Sequence, residues 1–233
     1  NVGGTQNILD AMKSEDEPPV IVFSSTLSVC GPRRPDGPPF TADDPAIGTD
    51  QYTSNKAECE RLLRESGLPF VILRIGMSVG EKAASGDLSP DVFRLLFGID
   101  PDTRCEWIHP GDVAFAQARA AQTPAAMGKT LMIGGGEGCR LTFREFYGKM
   151  FEATGVGRFP DEAYGTREYY TQWMDTSESQ ALLGFQRVRF DEFIAALHHS
   201  YRFTRPPARL VAPLIRRWML QYSDAWQARR GRS

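Results

Sequence analysis

Short apolar runs alternate along the chain with longer stretches in which apolar positions recur every three or four residues. This is the pattern of βα units and a largely parallel sheet. Val2 to Lys13 reads as a helix with Ile8, Leu9 and Met12 on one face, stopped by Pro18-Pro19. Val20-Ile21-Val22-Phe23 follows as a buried strand ending in Ser24-Ser25-Thr26. The stretch from Gly31 to Asp50, rich in Pro, Gly and Asp, reads as a loop, and Asp50 to Ser66 as a helix with Gly67 as its C′ residue. Phe70-Val71-Ile72-Leu73 is a second buried strand, closed by Arg74 and the turn Ile75 to Gly80. Farther along, the pattern predicts helices over Pro90 to Phe97 and over Val113 to Gln122, the latter capped by Asp112. A short strand, Thr130 to Ile133, and a glycine turn, Gly134 to Gly138, precede a helix opened by the capping box Thr142-Phe-Arg-Glu145 and ending near Gly155. Short helices are expected over Asp175 to Leu183 and Asp191 to Tyr201.

Composition narrows the class. With 233 residues, 41% apolar and 24% charged, and with Gly and Pro scattered without period, disorder and collagen are excluded and a sizeable core is expected. The net charge of −2 gives no reason to expect nucleic acid as a partner. It hides an asymmetry: Arg202 to Ser233 holds eight arginines and one aspartate, so residues 1–201 carry nineteen basic against twenty-eight acidic groups. The start of the chain has neither a basic segment nor an apolar one, so no signal peptide is expected. Four cysteines lie far apart with no C-x-x-C pair, which suggests neither a metal site nor a disulfide framework but reduced thiols in a cytoplasmic protein.

The sharpest chemical signal is Tyr52-Thr-Ser-Asn-Lys56 inside a predicted helix, where the i, i+4 spacing puts phenol and ammonium on one face. A fixed cation favours the phenolate, so that the tyrosine can exchange a proton with a substrate hydroxyl or ketone; a solvated helical pair is the plainer alternative. Ser24-Ser25-Thr26 ends a buried strand 26 residues before Tyr52, at the sheet edge where ligands collect in open α/β folds. A hydroxyl there could hold the oxygen that Tyr52 protonates, or the cluster could serve the turn backbone.

Five segments in order, N-V-G-G-T-Q-N-I-L-D-A-M, V-I-V-F-S-S-T-L-S-V-C-G, Y-T-S-N-K-A-E-C-E-R-L-L, F-V-I-L-R-I-G-M-S-V-G and W-I-H-P-G-D-V-A, resemble the extended short-chain dehydrogenase/reductase superfamily of the NAD-dependent epimerase/dehydratase type. The likeness covers roughly Asn1 to Gly155. It implies an α/β fold with a Rossmann-type parallel sheet, a small C-terminal α/β substrate lobe, and NAD or NADP as cofactor. By the same likeness Thr26 is the catalytic hydroxyl, Tyr52 the acid/base and Lys56 the lysine that tunes it and holds the nicotinamide ribose. Asn1 resembles the helix asparagine that organises a catalytic water and the lysine. Phe23, Ser24 and Ser25, and the turn Ile75, Gly76, Met77 and Ser78, resemble the backbone that lines the nicotinamide. His109 resembles a residue with a mostly structural role.

Departures from the family pattern bear on substrate. Thr26 is followed by Leu27-Ser28, not by the Asp-Glu pair that water elimination needs, so dehydratase chemistry is not expected. Cys105 stands where nucleotide-sugar enzymes usually place a diphosphate-clamping arginine, with Arg104 one position off. Cys30 replaces the usual Tyr of V-Y-G and Ile75 the usual Pro. These favour a smaller or more apolar hydroxyl/carbonyl substrate over a nucleotide sugar, and an NAD(P)-dependent oxidoreductase or epimerase. A nucleotide-sugar epimerase and a catalytically silent NAD(P)-binding sensor or scaffold are the rival readings.

The likeness also places Asn1 in the middle of the family's fold. The glycine-rich phosphate loop and the residue that selects NAD or NADP are expected upstream, in roughly 100 residues. On that expectation the first βαβ units are missing, and the 233-residue chain alone neither binds dinucleotide tightly nor turns over. A sheet edge left open would favour association, a homodimer included. The expected spans are 1–80 for the catalytic half of the sheet, 81–201 for the strands completing it with the substrate lobe, and 202–233 for a basic amphipathic tail. In that tail Val211, Leu214, Ile215, Trp218 and Tyr222 share a helical face beside Arg216 and Arg217, suited to a membrane surface or a partner, or to packing on its own domain.

Overall fold

The run after Pro18-Pro19 forms β1 (Ile21–Thr26) and the run after Gly67 forms β2 (Phe70–Ile75). In this computed structural model, which describes residues 1–32, 36–81 and 89–231, they pair in parallel with Ser24 opposite Leu73, Ser25 opposite Arg74 and Thr26 opposite Ile75. Residues 33–35 of the expected loop and the last two residues of the tail lie outside the described residues. Strand β5 (Thr130–Ile133) joins β2 in parallel on its other side, giving the order β1-β2-β5.

Strand β2 is apolar from Phe70 to Leu73 because both faces of this sheet are covered. Ile72 meets Leu9 of α1 (Val2–Met12) and Leu63 of α2 (Gln51–Glu65). Val71 and Leu73 meet Ala116 and Ala120 of α4 (Pro110–Gln122) and Leu183 of α6 (Ser177–Leu183) on the opposite side. Helix α2 starts where the sequence places it: Asp50 accepts the Thr53 N–H at 2.7 Å in a capping box, and those bonds hold its carboxyl below the ordinary carboxylate range. Its other end turns out through Gly67 at φ +72°.

A second small sheet, in the order β3-β4-β6, sets β3 (Met77–Ser78) parallel and β6 (Arg140–Thr142) antiparallel to β4 (Arg104–Ile108). None of its three strands is evident in the sequence pattern: β3 falls within the expected turn from Ile75 to Gly80, where β4 offers it a partner, and β4 and β6 are short and interrupted by charges. Around it pack α5 (Phe143–Thr154) and α7 (Phe190–Ser200) through Trp107, Phe146, Phe190 and Phe193. Beyond lie α3 (Pro90–Gly98), α8 (Arg205–Met219) and α9 (Asp224–Arg230), with Phe93 and Phe97 of α3 and Met219 of α8 joining Phe159 and Tyr164 in one core.

Strand β1 runs through Ser24-Ser25-Thr26, as the sequence reads, because β2 offers its edge that far. One expected cap needs correction. Asp112 is not the cap of α4: Pro110 takes the first helical position, which suits its fixed φ, and His109 caps by accepting the Gly111 N–H at 3.1 Å. Asp112 is buried instead and accepts the N–H groups of Arg187 and Val188 at 3.0 and 2.9 Å, fastening the approach to α7. The apolar stripe expected in the tail divides. Ile215 and Tyr222 pack against the lobe core, while Leu214 is 69% and neighbouring Leu210 84% exposed. Among the described residues no helix is long and apolar enough to cross a membrane.

Candidate active site

The carboxyl ends of β1 and β2 meet level at Thr26 and Ile75, and α2 lies across β1 at that edge. Tyr52, Lys56 and Glu60 follow one another at four-residue spacing, so they rise along one face of α2. Tyr52 in the first turn is half exposed and open to a ligand. Lys56 Nζ donates to the Ser24 carbonyl oxygen at 2.6 Å and lies 4.9 Å from the centre of the Phe23 ring. The ammonium is thus fixed to the end of β1 one helical turn from the phenol, and among the described residues two of its three donors remain for a ligand.

One turn farther, Glu60 is fully buried. It accepts from Ser25 Oγ at 2.6 Å, from Arg74 Nε and Nη2 at 3.1 and 2.9 Å, and from Arg64 Nη2 at 2.8 Å. Burial would raise the carboxyl, but the bonds and charge of Arg74, helped by Ser25 and Arg64, outweigh it and hold Glu60 below the ordinary carboxylate range. Arg74, itself buried, also donates to the Asp44 carbonyl at 2.6 Å, so the network ties α2, both strand ends and the loop before α2 together. Sequence reasoning missed it, although Glu60 continues the Tyr52/Lys56 stripe. It also missed Gln117 of α4, whose Nε2 donates to Ser24 Oγ at 2.7 Å.

The hydroxyls therefore divide by role. Ser25 donates its proton inward to Glu60, and Ser24 accepts from Gln117. Among the described residues Thr26 Oγ1 only accepts the Ser28 N–H, at 3.3 Å, which leaves its own proton available at the sheet edge. Ile75 ends β2, and Gly76 N–H donates to the Ile133 carbonyl at 2.9 Å. A Cβ at Gly76 would come within 2.6 Å of Met174 Cε and 2.8 Å of the Glu106 carbonyl, so only glycine fits. Met77 and Ser78 pair with Trp107 and Ile108. Asn1 stands apart from these residues: it is exposed at the head of α1, its side chain caps nothing, and no hydrogen bond joins it to Tyr52 or Lys56.

The residues weighed as a diphosphate clamp do not form one. Cys105 is buried in the lobe core, and burial pushes its thiol up. Arg104 stacks on Trp173, 4.3 Å from the ring centre, and donates to the Gly37 carbonyl at 3.2 Å. Glu106, the next residue of β4, is buried and accepts the Gly136 and Met174 N–H groups at 3.0 and 2.9 Å and Arg140 Nε at 3.2 Å; burial dominates and raises its carboxyl. His198 and His199 end α7, where burial and the nearby Arg205 and Arg209 lower the His198 imidazole.

Residues 1–134 match the model of the NAD dependent epimerase/dehydratase family. Solved structures agree in fold. A short-chain dehydrogenase/reductase superfamily protein from Agrobacterium tumefaciens, with bound NAD, superposes with a TM-score of 0.70 at 18% identity over 92% of this chain and 75% of that one. UDP-glucuronic acid 4-epimerase from Bacillus cereus, in complex with a substrate analogue and NAD, gives 0.67 at 20% identity over 86% and 67%. The dTDP-glucose 4,6-dehydratase of Streptomyces venezuelae gives 0.67 at 25% identity over 88% and 66%. The chain thus spans about two thirds of the length of the sugar-nucleotide enzymes it matches. No curated protein matches it in sequence.

Proposed function

The chain belongs to the NAD dependent epimerase/dehydratase family, and from that premise we propose that it is the catalytic part of an NAD(P)-dependent oxidoreductase or epimerase acting at a hydroxyl-bearing or ketone carbon. The observation that carries this reading is the Lys56 ammonium, fixed 2.6 Å from the Ser24 carbonyl one turn from an open Tyr52, at the carboxyl edge of a parallel sheet. When bound, a nicotinamide dinucleotide supplies the hydride donor and acceptor. Solved relatives that carry NAD support that cofactor. The free donors of Lys56 suit ribose hydroxyls, and the strip from Ile75 to Ser78 is an uninterrupted backbone wall beside them. In this reading Tyr52 takes or returns the proton of the substrate oxygen, the unspent Thr26 proton orients that oxygen, and Lys56 stabilises the phenolate.

Substituting Tyr52→Phe in the whole protein should abolish turnover of its alcohol or ketone and leave dinucleotide affinity unchanged. Turnover near the wild-type rate would sink the mechanism. A contact of the tail with a membrane surface or a partner is supported by Leu210, Val211 and Leu214, which stay exposed on α8 beside Arg209 and Arg217.

A further inference from the structure

The lobe contains a cavity of about 420 Å³ between α3, α5 and α8, within the range of about 300–1,000 Å³ typical of small-molecule sites. Val79, Phe93, Leu96, Met150 and Ile215 are among the side chains that wall it, and Val92 and Trp218 form an accessible rim. No charged side chain lines it among the described residues. Of its two hydroxyl-bearing residues, Thr154 donates to the Phe151 carbonyl at 3.1 Å, whereas the Tyr147 phenol makes no hydrogen bond among the described residues.

The cavity neighbours the candidate active site through the chain and through packed rings. Val79 directly follows the Ile75 to Ser78 strip, and Trp107 Nε1 holds its carbonyl at 2.8 Å. Rings also lead from one to the other. Tyr169, whose phenol is pushed up by burial and further by its neighbours Tyr52 and Asp50, lies 5.5 Å from Phe143. Phe143 lies 5.5 Å from Tyr147 in the cavity wall.

We propose that this cavity receives the hydrocarbon part of an amphipathic alcohol or ketone substrate, with the Tyr147 phenol donating to a second oxygen on that substrate. The proposal rests on the reading of Tyr52 as acid/base and gives it a substrate class. A nucleotide sugar is a poor occupant. A diphosphate taken into this space would be desolvated with no cation beside it among the described residues, and Arg104 is held by Trp173 and the Gly37 carbonyl. An alkyl chain instead exchanges water for close apolar walls, and a single buried donor fixes its orientation. Burial keeps the Tyr147 phenol protonated, as that donor must be.

The test is a tryptophan-fluorescence titration of the chain, without dinucleotide, using methyl nonyl ketone, whose single oxygen stands for the one Tyr147 receives, the corresponding hydrocarbon and UDP-glucose. The ketone should bind saturably and more tightly than the hydrocarbon, with no displacement by UDP-glucose. Val92→Arg, at an exposed rim position that folding tolerates, should weaken it by about tenfold or more. Tyr147→Phe should erase the preference for ketone over hydrocarbon, with both variants melting like the parent. Absence of saturable ketone binding, binding unmoved by either variant, or displacement by UDP-glucose overturns the proposal. Tyr52→Phe separates the two readings. If the ketone fails to bind but the whole protein shows Tyr52-dependent turnover, the cavity assignment falls alone. If the ketone binds and Tyr52→Phe remains fully active, the acid/base reading falls and the cavity stands as a ligand site.

Discussion

Replacing Glu60 with glutamine removes the anion at the centre of the network behind the candidate site while keeping its shape. The carboxylate receives Arg74 through two donors at 3.1 and 2.9 Å, together with Ser25 and Arg64. Glutamine would present an amide nitrogen to at least one guanidinium and leave Arg74, only 1% exposed, without the carboxylate that pairs with it directly. Breaking a buried pair from one side costs about 3–5 kcal/mol. At about 2–4 °C per kcal/mol for a chain of this size, Tm should fall by about 6–20 °C at neutral pH. Differential scanning calorimetry between pH 7 and pH 3 checks both size and sign. The folded-state carboxyl lies below its unfolded value, so its contribution is complete above about pH 4.3 and is lost as pH falls through the folded value. The gap between parent and Glu60→Gln should therefore be constant at neutral pH and narrow only in acid. Glu58→Gln, whose Arg61 partner is solvent-exposed, should leave Tm unchanged. A loss for Glu60→Gln smaller than about 2 °C at pH 7, or a gap that persists unchanged into acid, would refute the reasoning.

Gly135→Ala should destabilise the chain by about 1–3 kcal/mol in urea melts, because the added methyl would be driven into the Trp107 carbonyl oxygen and the Cys139 side chain. A melt indistinguishable from the parent would show that the turn can shift. Leu210→Asp with Leu214→Asp, both on the exposed side of α8, should leave Tm unchanged and reduce cosedimentation with anionic phosphatidylserine vesicles. Vesicle binding unaffected by the pair would remove membrane contact from the roles of that face.

The legibility of each element follows from how local its causes are. Strands β1 and β2 read as apolar runs because a covered parallel strand needs apolar residues on both faces, and α2 read correctly because its cap, its stripe and Gly67 are contiguous. The Tyr52/Lys56 pair was visible for the same reason: helical geometry alone puts residues four apart on one face. Asp112 shows where such reasoning fails. A buried aspartate in a first turn has the sequence signature of a cap, yet it serves backbone groups at Arg187 and Val188, some 75 residues away.

The sequence by itself determined the α/β class, the family likeness and the helix that carries phenol and ammonium, since each depends on short-range periodicity or contiguous motifs. Tertiary structure decided the rest. Register between β1 and β2 set Ser25 beside Arg74, and the approach of α2 brought Glu60 to both. Packing of α4 assigned Gln117 to Ser24, 93 residues away in the chain. The lobe cavity exists only where α3, α5 and α8 fail to close on one another. Such neighbours leave no periodic trace, because burial selects for apolar character or a satisfied charge but does not encode which distant residue provides the contact.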